Sequence, residues 1–120
     1  MDGTCNPVPA KRSFRRTRIF NQIAPYCLIC PHRDTSIKWG QGVNIGMFSR
    51  LACINEISLG NTVLTGPNVF ISDHNHAYED VEKPISAQGN IGNNNKVIID
   101  DDCWIGTNVV ICGNVHIGKH

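Results

Sequence analysis

Two histidines, His74 and His76, open a long polar excursion, FISDHNHAYEDVEKPISAQGNIGNNNK, running from Phe70 to Lys96. Histidine as a residue type has an ordinary pKa of about 6.5, so an imidazole held in place near neutral pH can take a proton. Asp73 and His76 flank His74, and three uses are open to them: orienting the ring, binding a second reactant, or simply facing solvent. The bland alternative makes both histidines surface residues of a polar loop. The other reactive side chains are six cysteines, Cys5, Cys27, Cys30, Cys53, Cys103 and Cys112. Cys27 and Cys30 form a lone CLIC, without the second pair that a structural zinc site needs, and read as apolar filler. The dispersed spacing predicts reduced, mostly buried thiols.

What must position these groups is legible as a repeat. Written in sixes, the chain reads LGNTVL, TGPNVF, ISDHNH and, after the excursion, IDDDCW, IGTNVV, ICGNVH and IGKH. The leading row is Leu59, Thr65, Ile71, Ile99, Ile105, Ile111 and Ile117, which predicts one inward-facing column. Asn68, Asp102, Asn108 and Asn114 recur at the fourth position, residue types that tolerate left-handed backbone and so predict a turn at fixed phase. A sustained period of six fits neither a helix nor a uniformly alternating strand; it fits a short strand and a bend repeated along a solenoid. Trp39, Ile45, Leu51 and Ile57 extend the pattern backwards, with a two-residue slip between Ile57 and Leu59 that predicts a bulge or corner adjustment. In this register His74 takes the fourth position, so its ring should project outward at a corner.

Composition excludes some function classes. A net charge of +1 provides no bulk attraction to nucleic acid, although Lys11, Arg12, Arg15, Arg16 and Arg18 form a basic cluster. The sequence holds no apolar run of the roughly 18 residues that a membrane span requires, and no signal-type stretch precedes the basic cluster, so a cytoplasmic protein is expected. Ser13 to Ala24, ended by Pro25, reads as a short amphipathic helix that caps the first coil in preference to touching a membrane.

On these sixes, the SDHNH segment and the later WIG, residues 39 to 120 resemble the hexapeptide-repeat acyltransferases, in particular the galactoside, maltose and polysaccharide O-acetyltransferase group. The resemblance implies an all-β fold, a left-handed parallel β-helix with an extruded loop. It implies domain limits of 1–38 for a basic N-terminal segment and 39–120 for the β-helix, with the loop at about 72–97 and one or more C-terminal coils absent. Removing that loop leaves about three coils. For function, it implies transfer of an acetyl group from acetyl-CoA to a saccharide hydroxyl by direct attack, with no metal, and a homotrimer with active sites between subunits. His74 matches the family's catalytic base. Trp104 and Thr107 match positions that contact coenzyme A, and Asp73, His76 and Asn44 are the candidates for the acceptor side. A metal-dependent carbonic anhydrase of the same fold would use His74, His76, His116 or His120; a non-catalytic solenoid would need neither the SDHNH loop nor an outward Trp104.

Overall fold

The computed structural model describes residues 6–7, 21–32 and 35–120. In chain order its strands are β1 (Asn6–Pro7), β2 (Gln22–Ile23), β3 (Leu28–Pro31), β4 (Ser36–Trp39), β5 (Asn44–Ile45), β6 (Arg50–Cys53), β7 (Glu56–Leu59) and β8 (Leu64–Thr65). They continue as β9 (Phe70–Ser72), β10 (Asn75–His76), β11 (Asn90–Ile91), β12 (Lys96–Ile99), β13 (Trp104–Ile105), β14 (Val110–Cys112) and β15 (Val115–Ile117). Among the described residues the one helical element is a single 3-10 turn, Ile85–Ala87, and no helix is long and apolar enough to cross a membrane.

Each turn of the chain contributes one short strand to each of three parallel walls. The walls are β2-β5-β8-β13, β3-β6-β9-β14 and β4-β7-β12-β15, with β1 added antiparallel to β3. The result is a left-handed parallel β-helix. Leu51 lies beside Ile71, Ile57 beside Val97 and Leu59 beside Ile99, so like side chains stack along the axis. All six are buried, and each such aliphatic group contributes about 1.5–3 kcal/mol on removal from water. Thr65, the polar member of the inward row, accepts the Gly46 N–H at 2.9 Å and is thereby satisfied.

The two-residue slip has a regular cause. On β7 both Ile57 and Leu59 point inward, and they register with Val97 and Ile99 above and with Ile37 and Trp39 below. The third wall is therefore longer by one inward residue per coil, and the slip is no isolated bulge. At the corners Asn68, Asp102 and Asn108 have φ of 56, 62 and 62°, as the pattern predicts. Asn114 does not; Gly113 carries the positive φ there, and the Asn114 side chain instead accepts the Lys96 N–H.

Three expectations change. The coil begins at Gln22, ahead of Trp39, because β2, β3 and β4 occupy the same walls as later strands. The helix expected over Ser13–Ala24 falls mostly outside the described residues, and within them Gln22–Ile23 is strand. Cys30 is disulfide-bonded, to a partner outside the described residues, whereas Cys27, Cys53, Cys103 and Cys112 are free thiols.

Candidate active site

The site begins where the chain leaves the coil. β9 runs along its wall to Ser72, after which the third wall is resumed only at Lys96. Between them β10 and β11 pair antiparallel and close the base of a protruding loop, with Asn75 opposite Ile91 and His76 opposite Asn90.

Asp73, the first residue of this departure, has no exposed surface. Its carboxylate reaches back to the corner of the preceding coil and accepts three successive backbone N–H groups: Ile54 at 3.0 Å on one oxygen, Asn55 at 2.7 Å and Glu56 at 2.8 Å on the other. The Cys53 thiol adds a fourth donor at 3.4 Å. Burial by itself would raise the Asp73 pKa; hydrogen bonds from Ile54, the His74 ring, Asn55 and Cys53 outweigh it and hold the carboxyl below its usual range. Burial first, and the Asp73 charge second, push the Cys53 thiol up to about 11.

His74 Nδ1 lies 2.8 Å from the Asp73 oxygen that also takes the Ile54 N–H. An ionised carboxylate can only accept, so Nδ1 carries the hydrogen and the neutral ring presents Nε2 bare. No partner within the described residues occupies Nε2, and the side chain keeps 19% of its surface exposed. The backbone of His74 is held from both sides: the Ser72 hydroxyl donates to its carbonyl at 2.9 Å, and the Cys112 thiol of the coil above approaches the same carbonyl at 3.5 Å. Cys112 also donates to the Asn75 amide oxygen at 3.0 Å, a closer tie to this corner than simple packing requires. The geometry yields an outward imidazole with a fixed tautomer, suited to accept a proton from a bound reactant.

The remaining candidates are dispersed. Asp73, a candidate for the acceptor side, is buried and engaged with His74 and the coil below, leaving no face toward a reactant. His76 stands exposed on β10 beside the site. Asn44 is on β5, a different wall, where its amide donates to the Gly42 carbonyl at 3.1 Å. Trp104 on β13 shares that wall, pairs with Leu64 and is 76% exposed; Thr107 lies at the next corner. One chain thus gathers Ser72, Asp73 and His74, but it does not bring Trp104, Thr107 or Asn44 to them. His116 and His120 face Asp100 and Asp102 instead of the His74 corner, and among the described residues no three metal-ligating side chains converge.

Cys53 and the N–H groups of Ile54 to Glu56 have no sequence signature of their own. The signal that locates them is vertical: Ala52 registers with Ser72, so the residues after Ala52 underlie those after Ser72.

Comparison with known proteins finds two acetyltransferases. The chain is similar to a galactoside O-acetyltransferase of Lactococcus lactis subsp. lactis, 29% identical over 108 residues, which is 86% of this chain and 50% of that protein. It is also similar to a probable acetyltransferase of Mycobacterium tuberculosis, 31% identical over 86 residues, 72% of this chain and 28% of that protein. The chain spans half or less of the length of these curated relatives. No family model and no solved structure matches it. By its six-residue repeat, its three-walled coil and these relatives, the chain is similar to the hexapeptide-repeat acetyltransferases.

Proposed function

We propose that the chain is part of an acetyl-CoA-dependent O-acetyltransferase that modifies a saccharide hydroxyl, with His74 as general base. The observation that carries this reading is the Asp73–His74 pair: a buried carboxylate at 2.8 Å from Nδ1 leaves Nε2 unprotonated and outward. In the reaction Nε2 removes the acceptor hydroxyl proton as its oxygen bonds to the thioester carbonyl carbon. The carbonyl becomes an oxyanion, best held by a backbone N–H. Collapse expels the coenzyme A thiolate, which takes the proton back from His74, so the products are an acetyl ester and a free thiol. Asp73 stabilises the transient imidazolium and keeps the ring from turning.

Direct attack is favoured over a cysteinyl intermediate. Cys53, the thiol nearest the carboxylate, is kept protonated first by its burial and then by that neighbour, which is the opposite of an activated nucleophile. The galactoside O-acetyltransferase relative supports a sugar acceptor. Trp104 and Thr107 are assigned to acetyl-CoA, and Asn44 and His76 to the acceptor side. Trp104 lies open on a flat wall, so a coenzyme A site of any depth requires a neighbouring copy, in keeping with a homotrimer.

The test is thiol release from acetyl-CoA across a panel of sugars. His74→Ala should lower turnover by about 10²- to 10⁴-fold, the usual contribution of a general base, with the thermal midpoint preserved. Undiminished turnover in that variant would remove His74 from the mechanism.

A further inference from the structure

The loop that His74 opens has a departing arm and a returning arm, and one residue of the coil beneath binds both. Asn55 donates its backbone N–H to Asp73 at 2.7 Å and its side-chain amide to the Asn95 carbonyl. Asp73 is the first residue of the departure, and Asn95 is the last before β12 resumes the third wall. The Asn95 N–H in turn bonds the Gly92 carbonyl at 2.9 Å, so Asn95 is held on both sides. The neighbouring residue repeats the connection more weakly. Glu56 donates its N–H to Asp73 and pairs with Lys96 at 3.1 Å, but that ion pair is partly exposed and adds little.

The two arms also touch. Gly92 has φ of 101°, and a Cβ built there would lie 2.6 Å from the Asn95 side-chain nitrogen and 3.0 Å from the Asp73 carbonyl oxygen. The returning arm is thus seated directly against the residue that orients the His74 ring. Further out, the arms are joined by the β10–β11 pairing and by the Ala77 N–H on the Gly89 carbonyl at 3.0 Å. A two-stranded hairpin is marginally stable on its own in water, so the attitude of this one is set where its arms meet the coil.

We infer that Asn55 is a positioning residue for the acceptor: its side-chain amide pins the returning arm and so holds the loop, with His76 on it, in place beside the base. The tie between the arms stands on the geometry alone; its bearing on the acceptor rests on the acetyltransferase reading. The division of labour is sharp. Asp73 fixes the His74 ring from the departing arm, whereas the Asn55 amide acts on the other arm. Removing that amide leaves the backbone N–H of residue 55 untouched, so Asp73 keeps its three N–H donors and the imidazole keeps its tautomer. What changes is the surface against which the acceptor is placed, and a displacement of about 1 Å there can cost on the order of 10²-fold.

The experiment compares the wild type with Asn55→Ala and with Asn55→Asp, which keeps the shape but cannot donate to a carbonyl. Thiol release is measured against sugar and acetyl-CoA concentration separately. Both variants should raise KM for the sugar by about 10-fold or more, with kcat and KM for acetyl-CoA within about 3-fold of wild type and the imidazole nitrogen shifts unchanged. A merely structural role would lower the active fraction, hence kcat, and leave both KM values alone; that result overturns the inference, as does a sugar KM that does not move. Amide hydrogen exchange is followed in the same samples. The Ala77 N–H should exchange about 10-fold faster in Asn55→Ala while the core strands β6 and β9 exchange as in the wild type, and equal protection of Ala77 overturns the tie itself. A wild type that releases no thiol with any sugar defeats the transferase reading and the acceptor role together, and faster exchange at Ala77 then upholds the tie alone.

Discussion

Replacing Asp73 by Asn separates the ring's tautomer from its mere presence. The side chain keeps its shape but one oxygen becomes an NH₂. The oxygen facing Asn55 and Glu56 accepts two backbone N–H groups and the Cys53 thiol, so the amide oxygen should settle there. The NH₂ then replaces the oxygen that faces His74 Nδ1 and the Ile54 N–H. Two donors meet at Ile54, which orphans a buried N–H at a cost of about 1–3 kcal/mol. At His74 the NH₂ donates to Nδ1, so the ring's hydrogen moves to Nε2, the nitrogen that should take the acceptor's proton. A base holding the wrong tautomer loses up to about 10⁴ in turnover in other His–Asp systems, and a fall of 10² to 10⁴ is predicted here. Turnover is followed by thiol release, and the tautomer by nitrogen chemical shifts of the labelled imidazole. The reasoning is refuted if Asp73→Asn keeps turnover within about 3-fold, or if the neutral ring still carries its hydrogen on Nδ1.

Two further outcomes follow from the same geometry. Asp73 has a folded pKa below its unfolded value of about 3.9, so its stabilisation is present above that pH and is lost as pH falls toward the folded value; acid unfolding should be shallower in Asp73→Asn. Cys53, raised to about 11 from 9.0, contributes in the opposite sense: stability is full below pH 9 and declines as pH rises toward 11, a limb that Cys53→Ala should remove in denaturant titrations. At Gly66 an added Cβ would lie 2.8 Å from the Thr107 backbone nitrogen, which cannot move without shifting the next corner. Gly66→Ala should therefore lower stability by about 1–3 kcal/mol in thermal or denaturant unfolding.

The period of six displayed the walls because each inward side chain must be apolar and each corner must turn, and both demands act residue by residue. Ile71, Ile99, Ile105 and Ile111 announce themselves in this way, and so do Asn68 and Asn108. The first coil was hidden because Tyr26 replaces asparagine at its corner, and the position that signals a turn in later coils looks like a core residue there. The Asp73 cradle was hidden for another reason. Its donors are backbone N–H groups, which every residue except proline carries, so Ile54, Asn55 and Glu56 leave no trace in residue type.

The position of the site follows from the coil itself. A corner in mid-solenoid has its backbone N–H groups claimed by the coil stacked on it: Asn61 N–H bonds Asp101, and Gln41 N–H bonds Asn61. Above Ile54 to Glu56 the chain departs into the loop, and no corner of equal length follows to claim those donors. Three convergent N–H groups left beneath a departure would be a serious defect in a buried place. A carboxylate at the first departing residue satisfies all three and, having spare lone pairs, can hold one group more. The next residue is His74. Satisfying the broken coil and orienting the base are thus one structural act, and relocating the loop by a single residue would undo both.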